Sequence, residues 1–284
     1  RQPQAIAKQA ELQAFYARFI AYLDAKESTV TTYSKALRAF FAYLAEEGQT
    51  RPTRETILAY RDSIRARLKP STVQTYIITV RLFFAWTAQE GLYPNIAEHI
   101  KGAKLDRQHK KDALTAHQAK AILAGIDTSS LQGKRDYAIL ALMTSCGLRC
   151  IEVARATIAD MRIAGDSAAL YIQGKGRDEK TEYVKLAPPV EDAIRAYLKA
   201  RGKAEGHEAL FTSASNNNKG EGMTTRAISG IVKQAMREAG LDSERLTAHS
   251  LRHTAATLNL LNGGNIQETQ QLLRHSNIGT TMIY

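Results

Sequence analysis

Residues 28–48 read STVTTYSKALRAFFAYLAEEG, and 43 positions later residues 71–91 read STVQTYIITVRLFFAWTAQEG, with 12 of the 21 positions identical. Each copy opens on a serine, Ser28 or Ser71, suited to cap free backbone N–H groups, the second behind Pro70. Each closes on a glycine, Gly48 or Gly91, suited to a left-handed C-cap. Val30, Tyr33, Leu37, Phe40, Phe41 and Leu44 fall at three- and four-residue steps, as do Val73, Tyr76, Val80, Phe83 and Phe84. The spacing predicts two helices of about five turns, each with one apolar face turned to a core. The opposite face carries Thr31, Lys35 and Arg38 in the first copy and Gln74 and Arg81 in the second. These short polar and basic groups are candidates to approach phosphates or base edges, although an ordinary solvated helix face explains either copy alone. Helical patterns at about 11–25 and 54–68 precede the copies, so the unit is a pair of helical hairpins, too few repeats for a solenoid. Residues 1–101 are expected to form a small all-α domain.

The chain has 284 residues, enough for two moderate cores, and a formal net charge of +11. A balance so basic points first to nucleic acid; a merely solvated basic surface is the alternative. No apolar run approaches the ~20 residues that span a bilayer, and Arg1-Gln-Pro-Gln4 leads into a polar helix, so a soluble, cytoplasmic chain is expected. Cys146 and Cys150 are the only cysteines and have no histidine pair at zinc spacing, which argues against a disulfide scaffold or structural metal. The sequence lacks an initiator methionine and stops at a tyrosine, so a processed or partial chain is expected.

Residues 102–113 lack apolar periodicity and read as a basic linker. Lys101, Lys104, Arg107, Lys110 and Lys111 suit a strap across a phosphate backbone, and a solvated tether suits the composition about as well. From Leu114 a second domain, residues 114–284, begins. Thr115 is placed to cap a helix through Ile126, an apolar helix runs from Lys134 to about Ser145, and Cys146-Gly147 ends it. Ala168–Ile172 and Thr181–Leu186 are strand candidates joined by a hairpin tip over 174–180. Helices are expected at about 190–201, 224–239, 249–261 and 266–274. The fold class is therefore mainly α with a small antiparallel sheet.

This second domain holds residue types suited to one reaction, attack on a DNA phosphodiester. Tyr284 offers a phenol whose attack would leave a covalent phosphotyrosine and conserve the bond energy. Arg149 and Arg252 present planar, permanently charged forks for non-bridging phosphate oxygens. His249 and Arg252, three apart, share a helical face, and His275 stands nine residues before Tyr284. One histidine could take or relay the phenolic proton and the other hydrogen-bond a phosphate oxygen, a division left open. Lys175, within Gly174-Lys-Gly176, could reach the leaving 5′ oxygen as general acid, with Lys180 its nearest competitor. The tripeptide lacks the remainder of a Walker-type loop. Glu152, three residues after Arg149, is most simply a carboxylate that orients a catalytic arginine or histidine. No carboxylate cluster is present for a metal, and no metal or cofactor is expected.

The segments Cys146–Glu152, Gly174-Lys-Gly176, His249–Thr254, Leu272–Ser276 and Thr280–Tyr284 together resemble the tyrosine site-specific recombinases, the phage integrase family. The resemblance implies a SAM-like core-binding domain, a linker and a catalytic domain, with Arg149, Lys175, His249, Arg252, His275 and Tyr284 catalytic. It implies a 3′-phosphotyrosyl intermediate, exchange through a Holliday junction by a homo-tetramer on two specific double-stranded core sites, and a working place on the nucleoid. An accessory excisionase is a further candidate partner. Two positions depart from the family pattern: Arg274 stands where glycine is usual, a candidate phosphate contact or packing change, and Cys150 where an aliphatic residue is usual. The family also continues beyond the tyrosine into a helix that docks on a neighbouring subunit. The leading expectation is an integration or excision enzyme of a mobile element. Alternatives are a Xer-like or plasmid dimer-resolving recombinase, a type IB topoisomerase-like enzyme, and a non-catalytic DNA-binding regulator.

Overall fold

The computed structural model describes residues 14–105, 112–174, 179–215 and 219–282. Lys175 and Tyr284, and Arg107, Lys110 and Lys111 of the expected strap, lie outside the described residues. The chain divides into two compact units, Arg1–Gln108 and His109–Tyr284.

In the first unit residues 14–23 are helical (α1), followed by α2 (Glu27–Glu46), α3 (Arg54–Arg65) and α4 (Pro70–Gln89). The repeated segments are α2 and α4, and they pack on each other. Their homologous phenylalanine pairs meet reciprocally, Phe40 against Phe84 at 6.0 Å and Phe41 against Phe83 at 5.3 Å between ring centroids, both edge to face. The duplicated sequence thus makes a pseudo-twofold contact, in which each edge-to-face pair contributes ~0.5–1.5 kcal/mol beyond area burial. Both helices end as expected. After α2, Gly48 (φ +63°) donates to Ala45 O and Gln49 to Leu44 O; after α4, Gly91 (φ +67°) donates to Ala88 O and Leu92 to Thr87 O. These are Schellman closures, which need a residue at ease with positive φ.

Two details differ from the sequence reading. Ser28 and Ser71 are not the caps, because the extended residues are Lys26 and Lys69 and the helices begin at Glu27 and Pro70. Proline loses nothing at the first helical position, where its missing N–H has no partner to bond. Phe41 is 43% exposed rather than core: it meets Phe83 of α4 but leaves much of its surface to solvent.

The second unit contains α5 (Ala116–Ala124), α6 (Leu131–Cys146), α7 (Cys150–Ala154), strands β1 (Met161–Ala164), β2 (Ser167–Ile172) and β3 (Glu182–Lys185), then α8 (Pro188–Arg201), α9 (Thr225–Glu238), α10 (Ala248–Leu261) and α11 (Ile266–Leu273). Residues 138–143 on α6 are all buried, so α6 is the central helix, packed by α5, α8, α9 and α10. Thr115 caps α5 with Gln118 in a reciprocal capping box, as its position predicts. The sheet has order β1-β2-β3, all antiparallel, with Ala169 opposite Lys185 and Arg162. Strands β2 and β3 were expected and β1 was not: it has four residues, of which Arg162 and Ile163 are exposed, so it shows no alternation. Among the described residues no helix is long and apolar enough to cross a membrane.

Candidate active site

The site forms where the C-terminal ends of α6 and α11 converge in the second unit. A helix C-terminus leaves carbonyls unbonded and carries partial negative charge, so it favours cations. Here two arginines supply them. Arg252, on α10 and 1% exposed, donates Nη1 to Gly147 O at 2.5 Å and Nη2 to Leu273 O. Arg274, the C-cap of α11, donates Nη1 to Leu272 O at 2.6 Å. Gly147 makes the approach possible. It adopts φ +60°, ψ +32°, and a Cβ there would stand 2.9 Å from Leu273 Cδ2 and 3.3 Å from Ala255 Cβ.

Two residues on, Arg149 caps α7, and its partner is Glu152, fully buried in the first turn. Glu152 Oε2 accepts the Arg149 backbone N–H at 2.8 Å, and Oε1 accepts Arg149 Nη1 at 2.9 Å. The other side of the carboxylate is held by Arg274 Nη2 at 2.9 Å from Oε2. The carboxylate bridges two guanidiniums of unequal access: the Arg149 side chain is 28% exposed and that of Arg274 6%. The Nε of Arg274 is buried and has no hydrogen-bond partner among the described residues.

His275 follows Arg274. Its Nδ1 lies 2.9 Å from Thr281 Oγ1, and its carbonyl accepts Gln270 Nε2 at 2.9 Å. Burial, reinforced by the charges of Arg252, Arg149, Arg274 and His249, pushes the His275 imidazole down to about 4, so it is neutral at pH 7. His249 is exposed on the first turn of α10, its ring edge-on to that of His253 at 4.8 Å.

A cleft of about 300 Å³ opens over this group, lined by Arg149, Glu152, Gly174, Arg274, His275 and Thr280 among others. A second, of about 450 Å³, continues past Tyr183, Gln270 and Gln271 and shares Arg274 and His275 with the first. Two guanidiniums, Arg149 and Arg274, and two carboxylates, Glu152 and Glu182, line the first cleft, and the third guanidinium, Arg252, lies buried beneath it, a net positive arrangement suited to a phosphate. Among the described residues no group of three or more histidine, cysteine, aspartate or glutamate side chains is placed to hold a metal ion.

The structure therefore brings together Arg149, Glu152, Arg274 and His275 at the cleft, with Arg252 packed into the carbonyls beneath. Arg274, expected as a phosphate contact or a packing change, both lines the cleft and packs against Glu152 and the Leu272 carbonyl. Lys180 is drawn away: its Nζ pairs with the buried Asp160 and donates to Arg155 O at 3.0 Å, while Gly174, at the root of the hairpin, faces the cleft. Of the candidate DNA contacts, Thr31, Lys35, Arg38, Arg81, Lys101 and Lys104 are exposed. Gln74 instead lies over Gly102, where any Cβ would collide with it, and is half-buried. Thr281 and Gln270, which orient His275, were not singled out in the sequence; their only signal is position, six residues after and five before the histidine.

The phage integrase family model matches residues 112–284, and the phage integrase N-terminal SAM-like domain model matches residues 16–91. Tyrosine recombinase XerC of Caldanaerobacter subterraneus subsp. tengcongensis is 34% identical over 193 residues, which are 67% of this chain and 51% of that protein. The chain thus spans about half the length of that relative. Tyrosine recombinase XerC of Chlamydia caviae is 28% identical over 303 residues, 96% of this chain and 94% of that one. A lambda integrase (75–356) dimer bound to a COC′ core site has the same fold, with TM-score 0.75 at 18% identity, covering 95% of this chain and 96% of that one.

Proposed function

Because the chain belongs to the phage integrase family, the tyrosine recombinases, we propose that it cuts and rejoins double-stranded DNA at a specific core site. The observation that carries this is the cleft itself: Arg149, Arg274 and His275 line it, and Arg252 fixes the backbone under it. In the proposed reaction the Tyr284 phenol attacks the scissile phosphorus and gives up its proton. The bond from phosphorus to the 5′ oxygen breaks, and that oxygen takes a proton to leave as a hydroxyl. The product is a 3′-phosphotyrosyl link, which the 5′-hydroxyl of a partner strand reverses, so no external energy source is needed.

Arg149 meets the non-bridging oxygens, where charge grows in the transition state, and Arg252 supports it from below through its charge and its hold on Gly147. Neutral His275, oriented through Nδ1 by Thr281, hydrogen-bonds a phosphate oxygen through its other ring nitrogen, and exposed His249 takes or relays the phenolic proton. Lys175 is the general acid for the 5′ oxygen. The commitment of Lys180 to Asp160 supports choosing Lys175 of the two.

Exchange by four protomers on two sites, through a Holliday junction, follows from the family reading and puts the working protein on the nucleoid. We read the biological role as integration or excision for a mobile element, with an excisionase as accessory. The end-to-end match to a XerC favours a second reading, resolution of replicon dimers. The test is a plasmid carrying two directly repeated cores taken from the DNA flanking the reading frame. Excision of the intervening circle, with trapped four-way junctions, supports a recombinase; relaxation of supercoils without exchange would contradict it. A requirement for an accessory protein in the excisive direction alone separates the mobile-element role from dimer resolution.

A further inference from the structure

Resting on that reading of the cleft, we propose that Arg274 is a positioning residue for cleavage: it holds Glu152 so that Arg149 can turn to the phosphate without leaving a lone buried carboxylate beside it. Glu152 is fully buried and lines the cleft. Its charge opposes an incoming phosphate unless it stays paired. Arg149 is the partner that solvent reaches, so it is the one a phosphate would engage, and each donor it redirects weakens its grip on Glu152 Oε1. Arg274 is 6% exposed and bonds the other oxygen at 2.9 Å. It cannot follow Arg149 outwards, because Nη1 is held by Leu272 O at 2.6 Å and Nη2 also lies 3.5 Å from Gly147 O.

The backbone shows that this placement is specific. Arg274 adopts φ +53°, ψ +46°, a left-handed conformation where glycine would be at ease and a side chain is strained. A long cation is kept there, and its guanidinium goes into the core against a carboxylate rather than out to solvent. A carboxylate shared by two guanidiniums keeps a partner when one is withdrawn, whereas a simple ion pair leaves an uncompensated buried charge.

The experiment uses the full chain and a nicked duplex that traps the covalent intermediate, measuring cleavage rate at saturating DNA, DNA affinity and unfolding midpoint. Arg274→Gly suits the local backbone. At saturating DNA it should lower the cleavage rate at least about tenfold. Adding Glu152→Gln to Arg274→Gly removes the stranded charge and should recover most of that loss, and Arg274→Lys should fall between. A purely structural arginine would give no such rescue. Wild-type cleavage rates in Arg274→Gly, or a double variant as slow as the single, overturn the proposal while leaving the recombinase reading intact. Absence of an adduct with the wild-type chain overturns that reading and this proposal with it.

Discussion

Replacing Glu152 by glutamine changes one heavy atom, an oxygen to a nitrogen, and tests whether the carboxylate organises the cleft. The wild-type side chain accepts three hydrogen bonds, from Arg149 N and Arg274 Nη2 at one oxygen and Arg149 Nη1 at the other, all at 2.8–2.9 Å. An amide keeps one acceptor oxygen and turns an N–H₂ towards a guanidinium donor, so one bond is lost outright and the others lose their charge assistance. A hydrogen bond to a charged group contributes about 1.5–3 kcal/mol, and breaking a buried ion pair costs about 3–5 kcal/mol. Arg149 is 28% exposed, and water recovers part of its share, which brings the expectation to about 3 kcal/mol. For a unit of this size that lowers the thermal midpoint by roughly 6–12 °C. Urea unfolding of the full chain, following the transition of the second unit, reads the change. Because Glu152 is fully buried, the loss should persist in 1 M salt. A change below about 1 kcal/mol, or one that vanishes with salt, would refute a buried carboxylate holding two arginines.

Further outcomes follow for residues of both units. Gly147→Ala places a non-glycine residue at φ +60° and a Cβ 2.9 Å from the buried Leu273, so it should cost about 2–4 kcal/mol. Gly48→Ala, at φ +63° with open space around it, should cost only about 1–2 kcal/mol, and equal losses in urea unfolding would contradict the account of Gly147. His275 is held down to about 4 in the DNA-free chain, against 6.5 unfolded, so its contribution to stability is complete above pH 6.5 and is lost as pH falls towards 4. A bound phosphate raises the His275 value, so DNA affinity should increase as pH falls from 8 towards 5, and His275→Asn should flatten that rise in fluorescence anisotropy; an identical slope in the variant would rule out His275 as the coupled group. Lys35 and Arg38 are exposed on α2, and replacing both by alanine should reduce the slope of log affinity against log salt by about 2 on any DNA sequence; an unchanged slope removes α2 from the interface.

The helices were readable in the sequence where one face carried the signal. Leu37, Phe40, Val73, Val80 and Phe84 are buried as their spacing requires, and Gly48 and Gly91 end their helices in the left-handed conformation. Boundaries were less legible, because Ser28 and Ser71 have the right chemistry for a cap but stand one residue inside helices that Glu27 and Pro70 begin. Two short elements escaped: α7, with five residues, and β1, whose four residues show no alternation, whereas the equally short β3 does alternate and was legible. At the site, residue type and order pointed to Arg149, Glu152 and His275, which do line one cleft. The pairing of Glu152 with Arg274, 122 positions away, had no local signal, and neither did the burial of Arg252 against two helix ends. Both depend on the convergence of α6 and α11, a tertiary fact that single-segment patterns do not encode.

The proposed reaction requires Tyr284 to reach a DNA phosphate held at this cleft. Its most direct test is a labelled nicked duplex carrying the cognate core, incubated with the chain without metal or nucleotide and resolved on a denaturing gel. The expected product is a protein–DNA adduct joined through Tyr284 to a 3′ phosphate, lost in Tyr284→Phe and strongly reduced in Arg149→Ala. An adduct that survives Tyr284→Phe, or none across pH 6–9, would contradict it.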